Sequence, residues 1–217
     1  MTTVYLVRHA EAEGNVSQVF QGHTDCNVTE NGKLQLNALS ERFKEIKLDA
    51  LYSSPLKRTI ATANAVNFYN NLEIQKVDGL KEINGGLFEG KHWDELPKLY
   101  PKEYDLWENC HHKFEIQDGE SMRTVYDRIC KAVLEIVAQN SGKTIAIVSH
   151  GCAIRNFLCF ANNIAFEELD TTDWCENTGV TKLIFDDKLS PTIEYQNDVS
   201  HLSGDKMTMA FQTWWKK

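Results

Sequence analysis

The chain has 217 residues, 42% hydrophobic and 10% aromatic, which suffices for one sizeable core and makes one domain over 1–217 the expectation. Its formal net charge of −8 argues against nucleic acid or an anionic membrane as partner, because phosphate backbones are bound through lysine and arginine stripes. A small anionic substrate in a local cationic pocket stays compatible with that charge.

In chain order, Thr3 to Val7 reads as a short strand, apolar on both faces as in a parallel sheet. A polar loop follows from Glu11 to Val28, and Thr29 is placed to cap a helix whose apolar stripe is Leu36, Leu39, Phe43 and Ile46. Asp49 to Tyr52 reads as a second strand. Ser54 and Pro55 read as the cap and first turn of a helix buried through Ala61, Ala65, Phe68 and Leu72. Glu73 to Val77 is a strand and Asn84 to Gly90 a glycine-rich loop. Residues 91–118, punctuated by Pro97 and Pro101, form a helical, lid-like insertion. The strongest helical pattern runs from Met122 to Val137, and the strongest strand from Lys143 to Ser149. A helix over Gly151 to Ala161 and strands over Val180 to Phe185 and Thr192 to Tyr195 complete the series. Strands alternating with helices predict an α/β protein: a three-layer α/β/α sandwich around a mostly parallel central sheet.

The six cysteines form no C-x-x-C pair, which removes support for a zinc ribbon or a thioredoxin-type site. No basic segment with an apolar run precedes the first strand, and no stretch approaches the ~20 apolar residues of a membrane span. A reduced, cytoplasmic protein with free thiols is the expectation. The amino-acid sequence leaves the oligomeric state open; a homodimer is compatible with it.

Leu6-Val7-Arg8-His9 and Val148-Ser149-His150-Gly151 each close an apolar run with a histidine, and the first adds an arginine. Strand ends are where open α/β sheets build their sites. Two imidazoles and a guanidinium gathered there suit phosphoryl transfer, supplying a nucleophile, a proton partner and an anion clamp.

These residues carry a family resemblance. Leu6 to Glu11, followed by Gly14-Asn15, resembles the signature of the histidine phosphatase superfamily in its phosphoglycerate-mutase-like branch. Gln21-Gly22-His23-Thr24-Asp25, Ser53 to Thr59, Leu80 to Ile83 with Phe88-Glu89-Gly90, Ser149-His150-Gly151 and Asn197 to Leu202 are similar to that family's later motifs, in the same order. Ala10 departs from the pattern, standing where glycine is more usual, and leaves the charged set intact.

The resemblance implies a phosphoglycerate-mutase-like fold and a phosphomonoester hydrolase that needs no metal or cofactor and acts on a small phosphorylated metabolite. His9 is then the nucleophile, forming a phosphohistidine. Arg8 and Arg58 are bidentate phosphate clamps, and His150 is a hydrogen-bond donor to the transferring group beside a permissive Gly151. Glu82 is the general acid and then base. Asn15, Gln21, Gly22 and Gly151 join Arg8, Arg58, Glu82 and His150 in binding phosphate or substrate. Taken singly, each has an ordinary alternative: a packed strand-end histidine, a solvated arginine, a surface carboxylate beside Lys81, a loop amide. The ordered set outweighs these.

A 2,3-bisphosphoglycerate-dependent mutase shares the chemistry. It needs a more basic substrate channel than Trp93 to Gln117 provides, where Lys98, Lys102 and Lys113 are the permanent cations and no arginines pair. A phosphate-sensing module without activity is disfavoured by the complete catalytic set. The glycines at 85, 86 and 90 are followed by no Gly-Lys-Ser/Thr, which excludes a P-loop. His111 and His112 read as surface or pocket-rim residues. Trp93, Tyr100, Tyr104, Trp107 and Phe114 either line an apolar lid or form the insertion's own core.

Overall fold

Buried on both faces, the apolar runs at Thr2–Arg8 and Thr144–Ser149 take the centre of the sheet. The computed structural model describes residues 1–211, with side chains described through Met209. Along that span the chain forms β1 (Thr2–Arg8), α1 (Glu13–Ser17), α2 (Glu30–Phe43), β2 (Ala50–Ser53), α3 (Lys57–Val66), β3 (Ile74–Lys76) and α4 (Leu96–Leu99). It continues through α5 (Pro101–Asn109), α6 (Met122–Gln139), β4 (Thr144–Ser149), α7 (Gly151–Ala161), β5 (Val180–Phe185), β6 (Pro191–Asp198) and α8 (Thr208–Phe211).

The six strands lie in the order β3-β2-β4-β1-β5-β6. Pairing is parallel from β3 through β1 and antiparallel at β5 and β6, so the sheet is mixed and mostly parallel. Strand periodicity sorts the core into layers. Val4, Leu6, Ile145 and Ile147 face Ile129, Val133, Phe157 and Leu158 of α6 and α7. Val7, Ala146 and Val148 face Leu39 and Phe43 of α2 and Ala63 and Val66 of α3. Full burial of one such aliphatic side chain stabilises by about 1.5–3 kcal/mol. A third cluster joins Phe20, Phe88, Trp107, Phe114, Met122 and Phe166, tying the insertion to α6.

Thr29 caps α2 as expected, its hydroxyl accepting from Gly32 N at 3.0 Å. The next helix differs from expectation. α3 begins at Lys57 rather than at Pro55, and its buried residues are Arg58, Thr59, Thr62, Ala63 and Val66. Phe68, expected in the core, is 68% exposed. The polar residues are buried there because each finds a partner, and hydrophobic periodicity does not register that kind of burial. The loop expected over 11–28 also carries α1.

Candidate active site

Strand register assembles the centre of the site. Arg8 pairs with Ser149 across β1 and β4, and Ser53 with Val148 across β2 and β4. The next residues are therefore neighbours: His9 N donates to Ser149 O at 3.0 Å and Ser54 N to Val148 O at 3.0 Å. Three adjacent parallel strands thus deliver Ser54, His150 and His9 to one carboxyl edge. The two imidazole centroids are 5.2 Å apart.

His9 is 3% exposed. Its Nδ1–H donates to Ala10 O at 2.7 Å, which leaves the lone pair on Nε2. Burial, reinforced by Arg58 and Arg8, holds its pKa well below 6.5, so the ring is neutral near pH 7. The backbone carrying His9 is pinned twice. Asn177 Nδ2 donates to His9 O at 2.8 Å, and Ala10 N donates to Thr62 Oγ1 at 2.9 Å. His150 is fully buried and likewise neutral, through burial first and Arg58 second. Its Nε2 lies 2.8 Å from Ser54 Oγ, while its Nδ1 is buried with no partner among the described residues.

Both arginines are fixed by carbonyls. Arg8 Nη1 donates to Cys175 O. Arg58 donates from Nη1 to Thr24 O at 2.9 Å and from Nη2 to Gly22 O at 2.7 Å. The Nε of each is buried and has no partner among the described residues. A Cβ on Gly151 would stand 3.3 Å from Arg8 Nε, so glycine there lets the guanidinium lie against the start of α7.

Glu82 is 8% exposed and faces the first turn of α7. Its Oε2 accepts from Cys152 N at 3.0 Å, and its Oε1 accepts from Ala153 N and Ile83 N, each at 3.0 Å. An acidic group at a helix N-terminus is favoured by the free N–H groups there. Arg128 holds the same loop, donating to Glu82 O at 2.8 Å.

Arg8, His9, Asn15, Gln21, Glu82 and Gly151 line one cavity of about 780 Å³. Gly22, Arg58 and His150 are not among the residues that line it. Gly22 is held in place through both of its backbone polar groups. Its N–H is given to Glu89 Oε2 at 3.2 Å and its carbonyl to Arg58, so it acts on the site through Arg58. Asn15 Oδ1 accepts from Ala12 N at 2.9 Å, and Gln21 Oε1 is buried without a partner among the described residues.

Of the two readings of His111, the structure places it at the pocket and not at the surface. It is 7% exposed and lines the cavity, its Nδ1 bonded to Asp170 Oδ1, because the insertion folds it against Trp107 and Trp174. Trp93, Tyr104 and Trp107 also line the cavity, whereas Tyr100 and Phe114 pack in the insertion's cluster; the two readings of that aromatic set each hold for part of it.

Ser54, Glu89 and Asn177 were not singled out for the site by sequence reasoning. Glu89 is bonded by the N–H groups of Gly22, His23, Thr24 and Gly85. The Phe88-Glu89-Gly90 motif is the one signal that pointed there. Among the described residues no group of three or more His, Cys, Asp or Glu is set to hold a metal ion, and no helix is long and apolar enough to cross a membrane.

A neutral imidazole with a free Nε2, ringed by buried cationic and neutral donors at the carboxyl edge of an α/β sheet, defines an enzyme site for anion chemistry. The family model of the histidine phosphatase superfamily (branch 1) matches residues 4–199, and the chain belongs to that family. Phosphoserine phosphatase 1 of Hydrogenobacter thermophilus is 37% identical over 73% of this chain and 75% of its own length. The structure of YhfR from Bacillus stearothermophilus superposes with a TM-score of 0.89 at 31% identity, covering 93% of this chain and 99% of that one. A phosphoserine phosphatase mutant from Entamoeba histolytica, in complex with phosphoserine, has a TM-score of 0.82 at 29% identity, covering 94% and 100%. The fold is that of the family, and the chain is a phosphatase, hydrolysing phosphomonoesters.

Proposed function

We propose that this phosphatase hydrolyses a small phosphorylated metabolite through a phosphohistidine on Nε2 of His9. The observation that carries the reading is the gathering of orphaned buried donors, Arg8 Nε, Arg58 Nε and His150 Nδ1, around a neutral imidazole. A buried polar group without a partner is costly, and a phosphoryl group supplies the missing acceptors.

In the first step the Nε2 lone pair of His9 forms the N–P bond as the ester P–O bond breaks. The departing oxygen takes a proton from the Glu82 carboxyl group. In the second step water attacks phosphorus, its proton passes to the Glu82 carboxylate, and the N–P bond breaks to return the lone pair to His9. Ser54 O–H, donating to His150 Nε2, selects the tautomer in which Nδ1–H faces the transferring oxygens. Arg8 and Arg58 hold charge that cannot be titrated away. Uncatalysed phosphate-monoester hydrolysis is so slow that enzymes accelerate it up to about 10²¹-fold. Loss of one preorganised donor typically costs about 10²–10³, so several such groups and a covalent step are all needed.

The phosphoserine-named relatives support a small, compact substrate, with Asn15, Gln21 and Gly151 shaping its site. Residues 1–217 act as one catalytic domain with 91–118 as its lid. Six free thiols fit a cytoplasmic setting. The test is His9→Ala assayed on a panel of phosphate esters. Activity is expected to fall by at least about 10³-fold; unchanged hydrolysis overturns the mechanism.

A further inference from the structure

The same cavity has a second polar end that the phosphoryl chemistry does not use. Arg155 lies on α7 one turn beyond Gly151, an axial rise of about 6 Å. It is 5% exposed, lines the cavity, and has Nη1 buried without a partner among the described residues. The rest of its guanidinium is fixed: Nε donates to Thr172 O at 2.6 Å and Nη2 to Asp170 O at 3.1 Å. The Trp174 ring lies 4.7 Å below it. His111 Nε2 and Thr172 Oγ1 are likewise buried without a partner among the described residues, and the His111 ring is oriented by the Nδ1–H bond to Asp170. One segment, 172–175, holds both guanidinium groups of the cavity, Arg155 through Thr172 O and Arg8 through Cys175 O.

We propose that this end is a head-group subsite, in which Arg155 Nη1 binds a carboxylate of the substrate and His111 Nε2 accepts a hydrogen bond from an ammonium or hydroxyl on the adjacent carbon. The substrate class is therefore a phosphorylated three-carbon hydroxy or amino acid; this rests on the phosphatase reading of the site. Burial and the nearby Arg155 lower the His111 pKa to about 4, so at neutral pH its Nε2 accepts rather than donates. Donor and acceptor then match the two substituents of one α-carbon. Asp94, Glu108 and Asp173 line the same cavity, which favours an ammonium and opposes a second phosphate. A guanidinium locked by two carbonyls and an aromatic face loses little further freedom on binding a carboxylate.

The experiment compares kcat/KM of the wild-type enzyme on phospho-L-serine, 3-phosphoglycerate, phosphoethanolamine (no carboxylate) and phosphorylated 3-hydroxypropionate (no α-substituent). Loss of the carboxylate is expected to cost about 10²-fold or more, and loss of the α-donor about tenfold. The ratio of the first two esters tells an ammonium preference from a hydroxyl preference. Arg155→Met, which keeps an unbranched stem over Trp174, is expected to bring the phosphoserine-to-phosphoethanolamine ratio towards one. A wild-type enzyme that hydrolyses phosphoethanolamine as efficiently as phosphoserine overturns the subsite, whether or not the variant folds. So does a ratio that survives Arg155→Met. Hydrolysis of p-nitrophenyl phosphate without this discrimination leaves the phosphatase reading standing and removes the subsite alone. Failure on every ester removes both.

Discussion

Glu89→Gln tests how the loop that feeds Arg58 is held. Glu89 Oε1 accepts from His23 N at 2.7 Å and Gly85 N at 2.9 Å. Its Oε2 accepts from Gly22 N at 3.2 Å, Thr24 N at 3.0 Å and Thr24 Oγ1. Glutamine keeps one acceptor oxygen and turns an NH₂ towards the other donors, so at least two N–H groups face a donor instead of an acceptor. Hydrogen bonds to a charged group are worth about 1.5–3 kcal/mol each. Because the side chain is only half-buried, a loss of about 2–4 kcal/mol is expected rather than the full sum. For a chain of this length that lowers Tm by roughly 5–15 °C. The same loop gives Arg58 its three carbonyl partners, at Gln21, Gly22 and Thr24. A guanidinium displaced by about 1 Å costs up to about 10²-fold, so kcat falls with Tm. Thermal denaturation and steady-state kinetics on one ester measure both, with Glu95→Gln as control. Glu95 accepts from His92 N in an exposed setting, and its loss is expected to stay within about 0.5 kcal/mol. If Glu89→Gln matched that control in both Tm and kcat, the loop would not depend on this carboxylate and the reasoning would fail.

Ser54→Ala removes the hydroxyl beside His150 Nε2, and kcat is expected to fall about tenfold with KM little changed, since one positioning bond is lost; an unaltered kcat would show that His150 needs no such partner. His9 and His150 have folded pKa values well below 6.5, and that of His111 is about 4, so the unfolded chain takes up protons first on acidification. Their contribution to stability is complete above about pH 6.5 and is lost as pH falls towards the folded values, at about 1.4 kcal/mol per pH unit for each histidine. Urea midpoints followed from neutral pH to about pH 5 should fall, and a rising midpoint would contradict the buried neutral rings. Gly22→Ala puts a methyl 2.0 Å from Ile83 O and 2.3 Å from Glu89 Oε1, whereas Gly204→Ala meets nothing within 4 Å among the described residues. The first should cost more than about 2 kcal/mol and the second less than about 0.5, read from denaturant unfolding; equal stability of the two variants would refute the packing described.

The parts of this molecule legible in its amino-acid sequence are those where burial and chemistry coincide in a short window. β1 and β4 are apolar on both faces and end in Arg8-His9 and Ser149-His150, so the centre of the sheet and of the site were readable together. The register that makes His9 and His150 neighbours is a long-range fact, but alternating strands and helices joined by right-handed crossovers leave few other arrangements. α3 was misread because its buried side is polar. Arg58, Thr59 and Thr62 are inside through hydrogen bonds, and Phe68 just past its end is outside. His111 and Asp170 are far apart in sequence, and nothing local announces that the insertion brings them together. Gly22 lies in a motif that implies a ligand, and the structure adds that its N–H and carbonyl are bonded to Glu89 and Arg58.

The covalent step is the claim on which the mechanism turns. Rapid mixing of the enzyme with a phosphomonoester, an alkaline quench that preserves phosphoramidate bonds, and peptide mapping by mass test it directly. A transient phosphoryl group on the peptide containing His9, absent from His9→Ala, is the predicted result. Steady turnover with no phosphoryl group on the chain at any time, or with the group on another residue, would contradict it.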